Sequence, residues 1–212
     1  MARGRSPGYD DQQSAILANA AALFAQQGYV GTSMNQVAAA CGISKAALYH
    51  YFRDKHALLV NIAGVHIERL EVLVAEVEAL QLAPEPRLRE FVHRFVAEYA
   101  SARDAHRVLT EDVRFLEPAD RERILGGERR VVSAVSGAIA ELRPQMGDAR
   151  MDKPVAMLMF GMINWMFTWL KPDGPLTYEA MAPVAADLLL GGLGGIRLDA
   201  PAFAGKTHGD SA

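Results

Sequence analysis

An all-α fold, an N-terminal three-helix unit followed by a larger helical body of about nine helices in all, is predicted by three observations. Apolar residues recur at three-and-four spacing through nearly the whole chain. No apolar/polar alternation bounded by turn residues marks a strand. Two helical segments too short to stand alone are joined by Cys41-Gly42-Ile43. The 212 residues are 50% hydrophobic and 22% charged, which excludes wholesale disorder and corresponds to roughly 1.4 domains at about 150 residues per domain.

The elements follow in order. Ile16, Ala20, Leu23 and Phe24 form one stripe of a first helix, capped by Asp10 or Asp11 and stopped at Gly28. Ser33-x-x-Gln36 is a capping-box pattern that opens a short second helix ending by Gly42, and Ser44 caps an equally short third. Asp54 opens a long helix that runs to about Gln81, before Ala83-Pro84-Glu85-Pro86. Further helices are expected over 87–103, 104–117, 120–142, 153–170 and 178–193, with Gly126-Gly127 as a kink in the third of these. The boundaries drawn are 9–55 for the head, 56–196 for the body and 197–212 for a small, polar tail expected to be disordered.

Charge is distributed unevenly. Formal net charge is −3, yet residues 1–60 hold five Lys/Arg against three Asp/Glu and the remainder is −5. Overall acidity argues against a phosphate-rich partner, whereas the head alone does not. The single cysteine, Cys41, excludes an internal disulfide and a thiolate metal site, and its place in an apolar turn suits a packed thiol. With no signal-like apolar run at the N-terminus, a cytoplasmic protein is expected.

The stretch Ser33 to Tyr51 carries the functional signal. Val37, Ala38, Cys41, Ile43 and Leu48 are spaced to pack two short helices together, and Gly42 suits a left-handed backbone position. This is a helix-turn-helix, whose second helix enters the DNA major groove. Residues Ile16 to Leu58 resemble the DNA-binding domain of the tetracycline-repressor (TetR) family. The matching residues are Ile16, Ala20, Ala21, Leu23, Phe24, Gly28-Tyr29, Thr32-Ser33, Val37-Ala38, Gly42-Ile43-Ser44-Lys45, Leu48-Tyr49-His50-Tyr51-Phe52, Lys55 and Leu58. The resemblance implies that Thr32, Ser33, Tyr49, His50 and Lys55 meet phosphates. Ser44 and Lys45 sit at the N-terminus of the reading helix, while Ala46 and Ala47 are small enough for close approach to thymine methyls. Arg3 and Arg5 are expected to add an arm onto the duplex. Phe52 and one of Tyr49 and Tyr51 are expected inside, because residues two apart on a helix point about 200° apart.

For the body the resemblance implies ligand binding and dimerisation. Pro154 to Leu170 is apolar on all sides except Asn164 and Thr168, near the lower length limit for a membrane span. A helix between a cavity and a partner subunit explains it better, with no membrane partner. Phe115, Met162, Asn164, Trp165, Met166 and Trp169 are the expected ligand residues, and Met157, Met181, Val184 and Leu188 the expected dimer interface. Asn164-Trp165, Trp169, Lys171-Pro172 and Gly174 are similar to a subgroup answering to acyl-CoA thioesters, and interface packing explains the same residues equally well. Arg94, Arg103 and Arg107 suit an anionic ligand, yet Glu90, Glu98 and Glu111 lie within ion-pair reach.

No enzymatic pattern is complete. Ala134-Val135-Ser136-Gly137-Ala138 lacks the glycines of a nucleophile elbow, Gly191-Gly192-Leu193-Gly194-Gly195 follows a helix rather than a strand, and Glu90-x-x-His93 has no second copy. The expectation is a non-enzymatic homodimer without cofactor that binds a palindromic double-stranded DNA operator and releases it on binding a small apolar or acyl-CoA-type effector. Two other readings are a small-molecule-binding protein that keeps the helix-turn-helix shape without regulating transcription, and a regulator tethered to a membrane through Pro154 to Leu170.

Overall fold

The computed structural model describes residues 7–171 and 174–198. The arm residues Arg3 and Arg5, Pro172 and the tail from Ala200 lie outside them. The described residues are helical with no strand. They form α1 (Pro7–Gly31), α2 (Met34–Ala40), α3 (Lys45–Tyr51), α4 (Lys55–Ala79), α5 (Pro84–Ser101), α6 (Arg103–Asp112), a 3-10 turn (Val113–Phe115), α7 (Pro118–Leu142), α8 (Pro144–Asp148), α9 (Asp152–Asn164), α10 (Met166–Trp169) and α11 (Tyr178–Gly195).

The stop signals act where expected, whereas the expected caps of the first helix are corrected: Asp10 and Asp11 lie inside α1, which already includes Pro7. The helical path of α1 breaks at Gly28, whose φ of 77° is left-handed, and Gln81 closes α4 with φ 50°. Two short segments go beyond the nine helices expected. Pro144 at the first turn starts α8, which the fully buried Met146 anchors. The apolar run 153–170 is not one helix, because the Trp165 carbonyl accepts both the Thr168 hydroxyl at 2.7 Å and its N–H at 3.1 Å. That local bonding competes with the helical ladder and separates α9 from α10. No helix among the described residues is long and apolar enough to cross a membrane.

Two compact units result. One comprises α1 to α3, α4 through Leu73, and Glu98–Arg130. Its core contains Ile16, Phe24, Val37, Leu48, Phe52, Leu58 and Ile124. α7 runs unbroken past Gly126-Gly127, so the expected kink is corrected. A Cβ on Gly127 falls 2.6 Å from Ile67 Cγ1, so glycine is needed there for helix approach rather than bending. Within this apolar unit His66 and His106 are buried with Nε2 and Nδ1 3.2 Å apart, and the Tyr99 ring stacks over His106 at 3.6 Å. Burial pushes His66 down to about 4 and His106 to about 3.

The other unit comprises Val74–Ala97 and the chain from Val131. Leu88, Phe91, Phe95, Ile139, Val155, Met159, Phe160 and Leu193 are buried in it, and Phe95 meets Phe160 edge-on at 5.2 Å. Ser136 is buried and its hydroxyl donates to the Asp152 carboxylate, a structural bond.

Two outcomes are expected. Gly127→Ala should destabilise by about 1–3 kcal/mol through overpacking, and adding Ile67→Ala, which removes the clashing atoms, should relieve the clash. Denaturant melts of single and double variants check this through their non-additivity. The histidines are neutral when folded and have an ordinary value of 6.5 when unfolded. The unfolded chain therefore takes up protons first, and the stability they provide is complete above pH 6.5 and falls toward pH 4. Glu128 and Asp112, held up by burial, act in the opposite direction. The histidine share is read from a His66→Leu/His106→Leu variant, relative to which the wild type should lose up to about 1.4 kcal/mol per pH unit for each histidine in that window.

Candidate nucleic-acid interface

The helix-turn-helix is built by caps and a small core. α2 and α3 are seven residues each, well under the roughly 12 needed for independent stability. The Ser33 hydroxyl accepts the Gln36 N–H at 3.3 Å while the Ser33 N–H donates to Gln36 Oε1 at 2.8 Å, so the capping box is complete. The Ser44 hydroxyl accepts the Ala47 N–H at 3.1 Å. Gly42 turns the chain with φ 64°, and Val37, Ala38 and Leu48 are buried between the helices.

This packing turns one face of α3 outward. Ser44, Lys45, Ala46, Tyr49 and His50 are exposed and Ala47 is half-buried. The Lys45 ammonium lies 5.9 Å from the Tyr49 ring. Tyr51 instead stacks on Tyr9 of α1 at 4.7 Å, and Phe52 is buried, so the two tyrosines divide as their spacing requires. Ser33 is exposed beside Gln36, whose amide donates to Gln27 at 3.1 Å. Burial pushes the Cys41 thiol up, away from thiolate character.

Two expected phosphate ligands occupy other positions. Thr32 is 2% exposed and its hydroxyl donates to the Gly28 carbonyl at 3.0 Å. Lys55 Nζ donates to the carbonyls of Tyr29 and Thr32, both at 2.7 Å, and of Val30 at 3.3 Å. It also sits 4.4 Å from the Tyr29 ring centre, and desolvation lowers its pKa. Both side chains satisfy backbone acceptors left where α1 breaks. Tyr29 in turn stacks on Phe115 at 5.4 Å, and the Arg114 guanidinium lies 4.9 Å over Phe115. Phe115, expected among the ligand residues, thus sits in an aromatic stack with the head. The Lys55 bonds and the Tyr9–Tyr51 and Tyr29–Phe115 stacks were not visible in the sequence, since their partners lie 23 or more residues apart.

The remaining expected ligand and interface residues belong to the other unit. Met166 is buried, Met162 and Asn164 are half-buried, and the Asn164 Oδ1 is buried with no hydrogen-bond partner among the described residues. Trp165 and Trp169 are 64% and 46% exposed, Met157 is exposed, Met181 is half-buried, and Val184 and Leu188 are exposed. Arg94 pairs with Glu90 at 2.6 Å and Glu76 at 3.2 Å, Arg107 with Glu111 at 3.0 Å, and Glu98 with Arg69 at 3.2 Å. Among the described residues no group of three or more His, Cys, Asp or Glu is placed to hold a metal ion.

Comparison with known proteins agrees with this geometry. Residues 16–62 match the family described as bacterial regulatory proteins, tetR family, and residues 81–193 match the tetracyclin repressor-like C-terminal domain. A crystal structure of a TetR-family transcriptional regulator from Bordetella parapertussis is 34% identical, with a TM-score of 0.83 over 89% of this chain and 99% of that one. A structure of AibR in complex with isovaleryl coenzyme A and operator DNA is 29% identical, with a TM-score of 0.74 over 84% and 97% of the two chains. The transcriptional repressor KstR2 of Rhodococcus jostii is 24% identical over 190 residues, 88% of this chain and 93% of its own. With a helix-turn-helix whose reading face is exposed and both family domains matched, the chain belongs to the TetR family of DNA-binding transcriptional regulators.

Proposed function

We propose that this regulator is a homodimeric repressor that holds a palindromic operator and is released by a small apolar or acyl-CoA-type effector, acting in the cytoplasm without catalysing a reaction. The observation that carries the reading is the outward face of α3, where Ser44, Lys45, Ala46, Tyr49 and His50 are exposed on a helix fixed by caps and by buried Leu48. Ser44 and Lys45 address the duplex at the helix N-terminus, Ala46 and Ala47 permit close approach to base edges, and Tyr49, His50 and Ser33 meet phosphates. Thr32 and Lys55 act indirectly, by fixing the end of α1 against the start of α4.

Dimerisation is assigned to α9 and α11. Met157, Leu158, Gly161 and Trp165 follow one exposed stripe of α9, and Val184, Leu188 and Gly191 one exposed stripe of α11. Apolar stripes of this kind are normally covered, and two helices from each subunit form a four-helix interface. Trp165, and Trp169 beyond the end of α9, are therefore assigned to that interface first, while Met162, Asn164 and Met166 remain the effector-facing candidates. The unpartnered Asn164 amide oxygen supports this, since an N–H donor from an effector or a partner recovers a desolvation cost of about 1–3 kcal/mol. An acyl-CoA effector draws support from AibR, whose structure holds isovaleryl coenzyme A. An effector that binds one spacing of the two reading helices better than the other lowers DNA affinity by that difference.

Sequence-selective capture of fragments from the source genome tests the reading as a whole, and the absence of any preferred site would end it. Lys45→Ala should weaken binding, make the salt dependence shallower and alter preference among operator variants. Lys55→Met should lower the melting temperature and weaken binding through misplacement of α3, with the salt slope per bound dimer unchanged. A shallower slope for Lys55→Met returns Lys55 to the phosphate contacts. Leu188→Asp should shift sedimentation from dimer toward monomer and reduce operator affinity together.

A further inference from the structure

Side chains at the junction of α1 and α2 form a hydrogen-bond chain that runs in one direction. The Ser33 backbone N–H meets the side-chain amide of Gln36 at 2.8 Å. A backbone N–H can only donate, so the Gln36 atom facing it is the oxygen, Oε1, and Gln36 Nε2 lies on the other side. That nitrogen sits 3.1 Å from the side-chain amide of Gln27, one residue before the break of α1 at Gly28. It too can only donate, so Gln27 turns its own oxygen inward. The Gln27 Nε2 is left on the far side of its amide, and among the described residues nothing accepts its hydrogens.

The same chain commits the Ser33 hydroxyl. Its oxygen accepts the Gln36 N–H at 3.3 Å, and its one hydrogen goes to Gln36 Oε1 at 2.8 Å. Ser33 thereby completes its capping box and has no hydrogen to give a phosphate oxygen, which only accepts. Gln27, Ser33 and Gln36 are all exposed. The donor displayed at this corner is therefore the Gln27 amide, reached from the expected ligand Ser33 through one intervening side chain.

Position and charge both bear on what that amide meets. In a helix-turn-helix the first helix crosses the phosphate backbone while the second lies in the groove, so the first turn of α2, where Gln36 holds Gln27, is a place where phosphate runs. Two cations of the head are engaged elsewhere: the Lys55 ammonium is turned to backbone carbonyls, and Arg53 Nε lies 3.2 Å from the Asp54 carboxylate. Neutral glutamine donors are ordinary partners of phosphate oxygens.

We propose that Gln27 is a phosphate-binding residue that donates through Nε2 to the backbone of the duplex read by α3, and that Gln36 is a positioning residue that fixes which end of the Gln27 amide points outward. The proposal rests on the reading of α2 and α3 as the DNA-facing elements, and it supplies the hydrogen for the contact that reading gives to Ser33.

The test measures affinity for a mixed-sequence duplex of about 30 base pairs by fluorescence anisotropy between about 50 and 200 mM salt, where binding is set by backbone contacts. Gln27→Ala should keep the wild-type melting temperature and weaken binding by about 2- to 12-fold per subunit on the duplex, with the salt slope unchanged because a neutral donor releases no counterion. Gln27→Lys brings a charge to the same point and should steepen the slope by about 0.9 per subunit. Gln36→Glu keeps an acceptor for the Ser33 N–H and has no hydrogen for Gln27, whose amide then turns over and shows its oxygen to the phosphate. It should weaken binding more in the wild-type background than in Gln27→Ala, where only the added negative charge acts. Wild-type affinity in Gln27→Ala, or a wild-type slope in Gln27→Lys, overturns the contact. Equal losses from Gln36→Glu in the two backgrounds overturn the positioning role of Gln36. A wild-type protein that binds no duplex at any of these salt concentrations overturns the DNA-facing reading and the contact together.

Discussion

The geometry of the head depends on one ammonium group. Past the break of α1 at Gly28, the carbonyls of Tyr29, Val30 and Thr32 lie where the helical ladder runs out, the Tyr29 carbonyl accepting the Thr32 N–H at 3.3 Å. Lys55, the first residue of α4, brings its three N–H donors to those three oxygens, two of them at 2.7 Å. Charge-assisted bonds of this kind are roughly twice as strong as neutral ones, and removing the lysine takes one donor from all three acceptors at once. The same ammonium rests over the Tyr29 ring, which stacks on Phe115, and the Arg114 guanidinium lies 4.9 Å from the Phe115 ring centre. The end of the first helix, the start of the fourth and the turn after the sixth are thereby fixed to one another by a cation, two rings and a second cation.

The reading helix inherits that rigidity because it has little of its own. Seven residues in α3 make two turns, a length that does not persist in water. What holds α3 is Leu48 and Phe52 beneath it, the Ser44 cap before it and the chain leaving directly into α4, whose first turn Asp54 caps through the Ala57 N–H at 2.7 Å. The side chains that fasten the frame are unavailable to a ligand. Thr32 and Lys55 look like phosphate ligands when read as letters, and their hydroxyl and ammonium are turned to backbone oxygens. Function at this surface is accordingly divided between residues that hold the helix and residues that the helix displays.

How much was legible in the sequence follows from the range of each interaction. The Ser33–Gln36 box, the Ser44 cap, the stop at Gly28 and the turn at Gly42 are each decided within four residues, and the structure places all of them as the sequence indicates. The Lys55 cradle, the Tyr9–Tyr51 stack and the Tyr29–Phe115 stack join residues 23 to 86 apart, and no local pattern encodes them. Gly127 shows a different failure. A glycine that permits a bend and a glycine that permits a close approach are the same letter, and only the position of Ile67 decides between them. Hydropathy makes the run 153–170 look like one helix because it does not register Thr168, whose N–H and hydroxyl both go to the Trp165 carbonyl at the junction of α9 and α10. Trp165, at the end of α9, continues the exposed stripe of Met157, Leu158 and Gly161 and is 64% exposed.

The short reading helix and the exposed apolar stripes require one another. At 1.5 Å per residue α3 is about 10 Å long, enough to reach only three or four side chains toward base edges. Each good base contact is worth about 1–3 kcal/mol of discrimination, so one copy cannot separate an operator from the surrounding genome, whereas two copies on a palindrome nearly double the available energy. That gain exists only if the two reading helices are held at a fixed spacing, and under the function proposed above that task falls to the exposed surface bearing Met157, Leu158, Trp165, Val184 and Leu188. Leaving such residues in water has no other benefit to the fold, since the opposite faces of α9 and α11 already contribute Val155, Met159, Phe160, Ala185 and Leu189 to the core. The net negative charge is consistent with the same division. The acidic majority lies beyond residue 60, outside the segment that carries α1 to α3.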